Sequence, residues 1–147
     1  MQRTLALIGI VSLGLVVVGA LGAGYLIYEG AMLDKSSKAY VDRVVPSLLS
    51  SWSAEILANE QSSGFRQDMN LEELRAGLHK AAVLGTLKRY IGSEGEAKIS
   101  ISPERGRTIT ANYRADAELQ HGQIVMQIGL VQESGQWRIS GFTVRSN

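Results

Sequence analysis

Between Arg107 and Leu119 polar and apolar side chains alternate without a break. Ile109, Ala111, Tyr113, Ala115, Ala117 and Leu119 share one parity, and Thr108, Thr110, Asn112, Arg114, Asp116 and Glu118 share the other. A period of two with one apolar face predicts a half-buried antiparallel strand. Ile124, Met126, Ile128 and Leu130 resume the pattern beyond His121-Gly122. With those two residues as a hairpin loop, Leu119 faces Ile124, Ala117 faces Met126 and Tyr113 faces Leu130. A second hairpin at Ser134-Gly135 sets Leu130 opposite Ile139, with Trp137 and Ile139 on the same apolar face. A one-residue slip in either turn would destroy that face. Phe142 and Val144 fall one residue out of phase. Either a bulge at Gly141 returns them to the core, the reading preferred here, or they join Val125 and Val131 in an apolar outer patch.

Upstream the period changes. From Leu33 to Leu57, Val41, Val44, Val45, Leu48, Leu49, Trp52 and Ile56 recur at three- and four-residue steps, which predicts a helix to cover the sheet. Pro46 lies inside this run, as a kink or in the first turn of a restarted helix. Asn59–Met69 is polar and reads as a loop. Asn70 and Glu73 have the spacing of a capping box, opening a helix with a stripe of Leu71, Leu74, Leu78, Ala81/Ala82 and Leu84. Gly85 is suited to end it. A short strand at Leu87–Ile91, an interruption at Ser93–Glu96 and a resumed strand at Ala97–Ser102 follow. Pro103-Glu104-Arg105-Gly106 then turns the chain into the long strand.

The N-terminus belongs to a different class. Thr4–Tyr28 carries no charge and is long enough, at ~1.5 Å per residue, to cross a hydrocarbon core of about 30 Å. A cleavable secretory signal would end near Ala20-Leu21-Gly22 or Gly22-Ala23-Gly24. The apolar run continues to Tyr28, which favours an uncleaved anchor with tyrosines at the interface. Lys35, Lys38 and Arg43 follow the segment, so basic residues alone do not orient it; its secretory character favours an outward C-terminal domain. Gly19 with Ala23 and Ala20 with Gly24 have helix-pairing spacing, although such residues are common in membrane segments. The organisation is therefore an anchor or signal over residues 1–32 and one α+β domain over residues 33–147.

Composition narrows the partners. With 15 Lys and Arg against 14 Asp and Glu, the chain has a net charge of +1 and no basic run, so nucleic acid is not expected. The absence of cysteine removes disulfides and thiolate chemistry.

Leu84-Gly85-Thr86-Leu87, the run Tyr113–Leu119, and the closing Gly135-Gln136-Trp137-Arg138-Ile139-Ser140-Gly141-Phe142 resemble small envelope domains of the nuclear transport factor 2-like (cystatin-like) superfamily. The resemblance covers roughly residues 38–146. It implies a cone-shaped fold, with a curved antiparallel sheet of about four strands wrapped onto the helices. It also implies a bacterial inner-membrane protein with its domain in the periplasm, or a periplasmic protein if the N-terminal segment is cleaved. Members include enzymes, ligand binders and a secretion scaffold subunit, so the fold alone does not choose a function.

Catalytic chemistry is not expected. The two histidines, His79 and His121, sit on a helix and in a hairpin tip and have no metal-ligand spacing. Enzymes of the resembled superfamily keep an acid–base group inside the cone, whereas Asp116 and Glu118 here have outward parity. Glu72, Glu73 and Asp68 suit a helix start. No cofactor motif appears. Two functions remain. In the first, the chain is an anchored, non-enzymatic interaction or assembly module that binds another envelope protein or itself through Val125, Val131, Arg138, Phe142 and Val144, the last two only where the bulge does not turn them inward. In the alternative, an apolar pocket between Trp52, Tyr113, Met126 and Trp137 holds a small molecule, provided helix side chains do not fill the room left by Ala111, Ala115 and Ala117.

Overall fold

The computed structural model describes the backbone of residues 2–146 and the side chains of residues 20–146. The chain divides into two units, Met1–Leu33 and Asp34–Asn147. Helix α1 (Gln2–Ser51) accounts for residues 2–33 of the first. Most of the apolar segment expected at Thr4–Tyr28 lies outside the residues whose side chains are described. Among the described residues, no helix is long and apolar enough to cross a membrane.

The second unit is α+β. After α1 come α2 (Ala54–Glu60), α3 (Ser63–Asp68) and α4 (Leu71–Ala81), the last extended by a 3-10 turn at Ala82–Leu84. Four strands follow: β1 (Leu87–Ser102), β2 (Gly106–Leu119), β3 (Gly122–Glu133) and β4 (Gln136–Ser146). They form one curved antiparallel sheet in the order β1-β2-β3-β4.

The predicted stripe on α1 is the cover. Val41, Val44, Val45, Leu48 and Leu49 are all buried, as are Ala111, Ala115, Ala117, Leu119, Ile124, Met126, Ile128, Leu130 and Ile139 of the sheet. Removing such side chains from water contributes about 1.5–3 kcal/mol apiece for the larger ones, before conformational entropy is charged against it.

Helix α1 runs through Pro46 unbroken and ends instead at Trp52, whose φ of 49° is left-handed. The single helix expected over Leu33–Leu57 is thus two. The Trp52 amide donates back to Leu48, the indole Nε1 donates to the Gly85 carbonyl at 2.8 Å, and Ser53 caps α2. A tertiary hydrogen bond fixes this break, and Ser53 as a cap is the one local sign of it. The expected loop at Asn59–Met69 also holds structure. It contains the end of α2 and the whole of α3, with Ser62 capping the Phe65 amide and Gln61 paired to Ile139 of β4. Only Phe65 of α3 is buried, too little to create a periodic signal. The capping box at Asn70 and Glu73 forms as read.

In the sheet the Ser134-Gly135 hairpin is as predicted, with Leu130 opposite Ile139 and left-handed φ values of 50° and 77° in the loop. The other hairpin is corrected by two residues. Its loop is Gln120-His121, so Leu119 pairs with Gly122, Ala117 with Ile124 and Tyr113 with Ile128. Amides of Gln120 and His121 donate to the carbonyls of Thr86 and Leu84, which pins the loop to the connection behind α4. A shift of two keeps every side chain on its face, so the core is unchanged. Strand β1 is continuous, correcting the interruption expected at Ser93–Glu96. Irregular pairing near Lys88 and Ile91 absorbs the phase change instead.

Candidate interaction groove

The bulge in β4 decides where the site lies. Gly129 pairs with Gly141 while Leu130 pairs with Ile139, so Ser140 is the extra residue. Beyond it Phe142 pairs with Ile128 and Val144 with Met126, which places both on the helix-facing side. The Phe142 ring meets the buried Phe65 ring edge-on at 6.2 Å. The five residues assigned to one interaction face are therefore not together. Val125, Val131 and Arg138 lie on the outer face, among Thr110, Asn112, Arg114 and Gln127. Arg138 is already engaged there, donating to the Asn59 carbonyl and to Gln136.

Phe142 and Val144 instead form one wall of a cleft of about 420 Å³ between α4 and β4. Leu74 and Leu78 are its buried floor; Met69 and Leu84 close its ends; Glu73 and Lys80 stand on the α4 rim. Met69, Leu84, Phe142 and Val144 are each half-buried, so the cleft presents apolar surface that the domain itself leaves partly uncovered. The sequence held the two halves of this groove, the α4 stripe and the closing strand. The bulge that joins them was the open question.

Two other clefts are larger and less apolar. One of about 670 Å³ is a shallow trough on the outer face, lined by Asn112, Arg114, Gln127, Ser140 and Thr143 over Gly129 and Gly141. Another of about 750 Å³ lies beside Trp52, where Arg75 pairs with both Glu55 and Glu72.

The four residues assigned to a small-molecule pocket are all core: Trp52 is 8% exposed, Tyr113 3%, Met126 1% and Trp137 8%. Their polar atoms are engaged within the fold. The Tyr113 hydroxyl shares a hydrogen bond with Ser37 at 2.8 Å and donates to the Asp34 carbonyl; Trp137 Nε1 donates to Ser36. None of the three clefts brings these four side chains together.

The densest group of titratable side chains fastens α1 to the edge strand β1. The Asp42 carboxylate accepts from Tyr90 at 2.7 Å, Ser93 at 2.6 Å and Lys38 at 2.9 Å, and Lys38 also donates to the Ser93 carbonyl at 2.8 Å. About two turns before Asp42, Asp34 accepts the Ala97 amide. Asp34, Lys38 and Asp42 are spaced by four, a polar stripe beside the apolar one that could have been read from the sequence. These contacts occupy backbone groups that an edge strand would otherwise expose. His79 is exposed on α4 and His121 is exposed in its hairpin. Among the described residues no three His, Cys, Asp or Glu side chains gather as a metal site.

Comparison with protein-family models, curated proteins and solved structures finds no match to this chain.

Proposed function

We propose that this chain is a non-enzymatic interaction module of the cell envelope, held at a membrane by its N-terminal segment and binding protein through the α4–β4 groove. The groove carries the reading: it combines half-buried apolar side chains with a charged rim on an otherwise well-filled domain. The small-molecule alternative is less well supported, because the side chains that would line its pocket are buried against the helices with their polar atoms bonded. Membrane attachment draws support from the last part of the apolar segment. Leu21, Tyr25, Leu26, Ile27 and Tyr28 are 61–74% exposed, an apolar surface that a bilayer would cover. The cystatin-like resemblance is consistent with a periplasmic domain and adds nothing about the partner.

Site-specific photocrosslinking of the full chain in a bacterial host tests this. A crosslinker at Val144 is expected to yield a protein adduct, and one at Val131 on the outer face is not. No adduct at Val144, or adducts at Val131 alone, would overturn the assignment of the groove.

A further inference from the structure

The rim of the groove has an internal symmetry of charge. At 3.6 residues per turn, Glu73, Gly77, Lys80 and Leu84 fall in one stripe beside the buried Leu74 and Leu78. Glu73 lies about one turn before Gly77 and Lys80 about one turn after it, so the stripe reads negative, flat, positive. A two-fold rotation about Gly77 reverses the order, and each charge then meets its opposite on a second copy. Neither charge is neutralised by an ion pair among the described residues, although the Glu73 carboxylate also closes the capping box. Among the described residues Lys80 makes no ion pair, and Glu73 receives only a long 3.4 Å hydrogen bond from the Asn70 amide besides its own helix's contacts.

Gly77 is a second, independent sign. A glycine within a helix costs about 1 kcal/mol relative to alanine. A Cβ built at Gly77 would meet nothing within 4 Å, so no neighbour in the domain requires the glycine. A missing side chain here lowers the rim midway between the two charges and lets another backbone come close.

We infer that a second copy of this chain docks across the groove, the two α4 helices antiparallel about a two-fold axis near Gly77. Glu73 of each copy faces Lys80 of the other, and each α4 covers the apolar wall of Phe142 and Val144 opposite. Such a dimer rests on the groove being the interaction surface and names its partner.

Light scattering on the full-length chain in mild detergent, with the detergent mass subtracted, is expected to give twice the chain mass. Glu73→Lys and Lys80→Glu each place like charges together twice, and each is expected to halve that mass. The doubly swapped chain regains the dimer, and so does an equimolar mixture of the two single variants, because each then complements the other. If Glu73→Lys unfolds through loss of its cap, Lys80→Glu against Lys80→Gln carries the test, and charge reversal must weaken the dimer more than neutralisation does. A parent of single-chain mass, or a dimer indifferent to the single swaps, overturns self-association through α4. Heavier adducts of some other mass at Val144 would in that case leave the groove an interface for a different protein, whereas no adduct there would remove both.

Discussion

Asp42 joins α1 to β1 through Tyr90 and Ser93 and pairs with Lys38 on its own helix, and it ties stability to acid. Partial burial opposes its ionisation, but hydrogen bonds from Ser93, Lys38 and Tyr90 outweigh burial and hold its pKa below the ordinary 3.8. A depressed pKa contributes stability that is present above the ordinary value and is lost as pH falls through the folded one. Asp42→Asn should therefore lower the thermal midpoint at pH 7, and the deficit relative to the parent should shrink at about pH 3. Melting curves of both proteins at the two pH values check this; a deficit unchanged by acid would assign the loss to packing. Two phenols act at the alkaline end, Tyr90 within this cluster and Tyr40 outside it. Burial first, then the bond to Asp42, raises the Tyr90 phenol, and burial with the bond to Glu60 raises Tyr40. Their contribution is complete below the ordinary value of 10.0 and is lost as pH rises through the folded values. The sequence shows Lys38 and Asp42 one turn apart, but Tyr90 and Ser93 lie 48 and 51 residues beyond Asp42. They share a face only because the pairing of β1 slips near Ile91.

Among the elements, β1 shows how close packing hides inside an unpromising stretch. Its Ser93–Glu96 segment looks like an interruption, with Gly95 between two glutamates. Yet Gly95 lies flat against β2: an added Cβ would run into the Asn112 carbonyl and stand 2.8 Å from the Tyr113 Cα. Both obstacles are backbone, so they cannot swing aside. Gly95→Ala is expected to destabilise by about 1–3 kcal/mol, read as a lower urea midpoint at unchanged slope. Parity, the capping box and the Ser134-Gly135 hairpin were legible because each depends on residues close in sequence. The break at Trp52, helix α3 and the position of the Gln120-His121 loop were not, because distant partners fix them: Gly85, Ile139 and the Leu84–Thr86 connection. Gly85 itself was read as a helix stop, which its φ of 85° supports, but it also sits so near Gln120 that a Cβ would stand 2.7 Å from it.

Across the whole molecule the two faces of the sheet have different tasks. The helix side holds the core and, past Ser140, one wall of the groove; the outer side is largely polar. Val125 stands between Asp116 and Arg145, and Val131 between Thr110 and Arg138. Val125→Glu with Val131→Glu should then change stability by no more than about 1 kcal/mol and leave the mass in solution and the Val144 adducts unaltered. Loss of the adducts in that variant would return the interaction surface to the outer face. The candidate site was half legible: the bulge preferred for Phe142 and Val144 does return them to the helix side, with Ser140 as its extra residue, but the α4 stripe that faces them across the groove was not joined to them. Apolar content marks a residue as worth burying, and only the register says against what.

Ser140 gives that register an unusual leverage. It is the one surplus residue in β4, and everything after it owes its sidedness to it. Removing a single codon there would invert the last six residues of the strand, moving Phe142 and Val144 from the groove to the opposite surface without altering either. Between related chains, a binding face can thus change sides by insertion or deletion, and a position-by-position tally of substitutions would record no change at all.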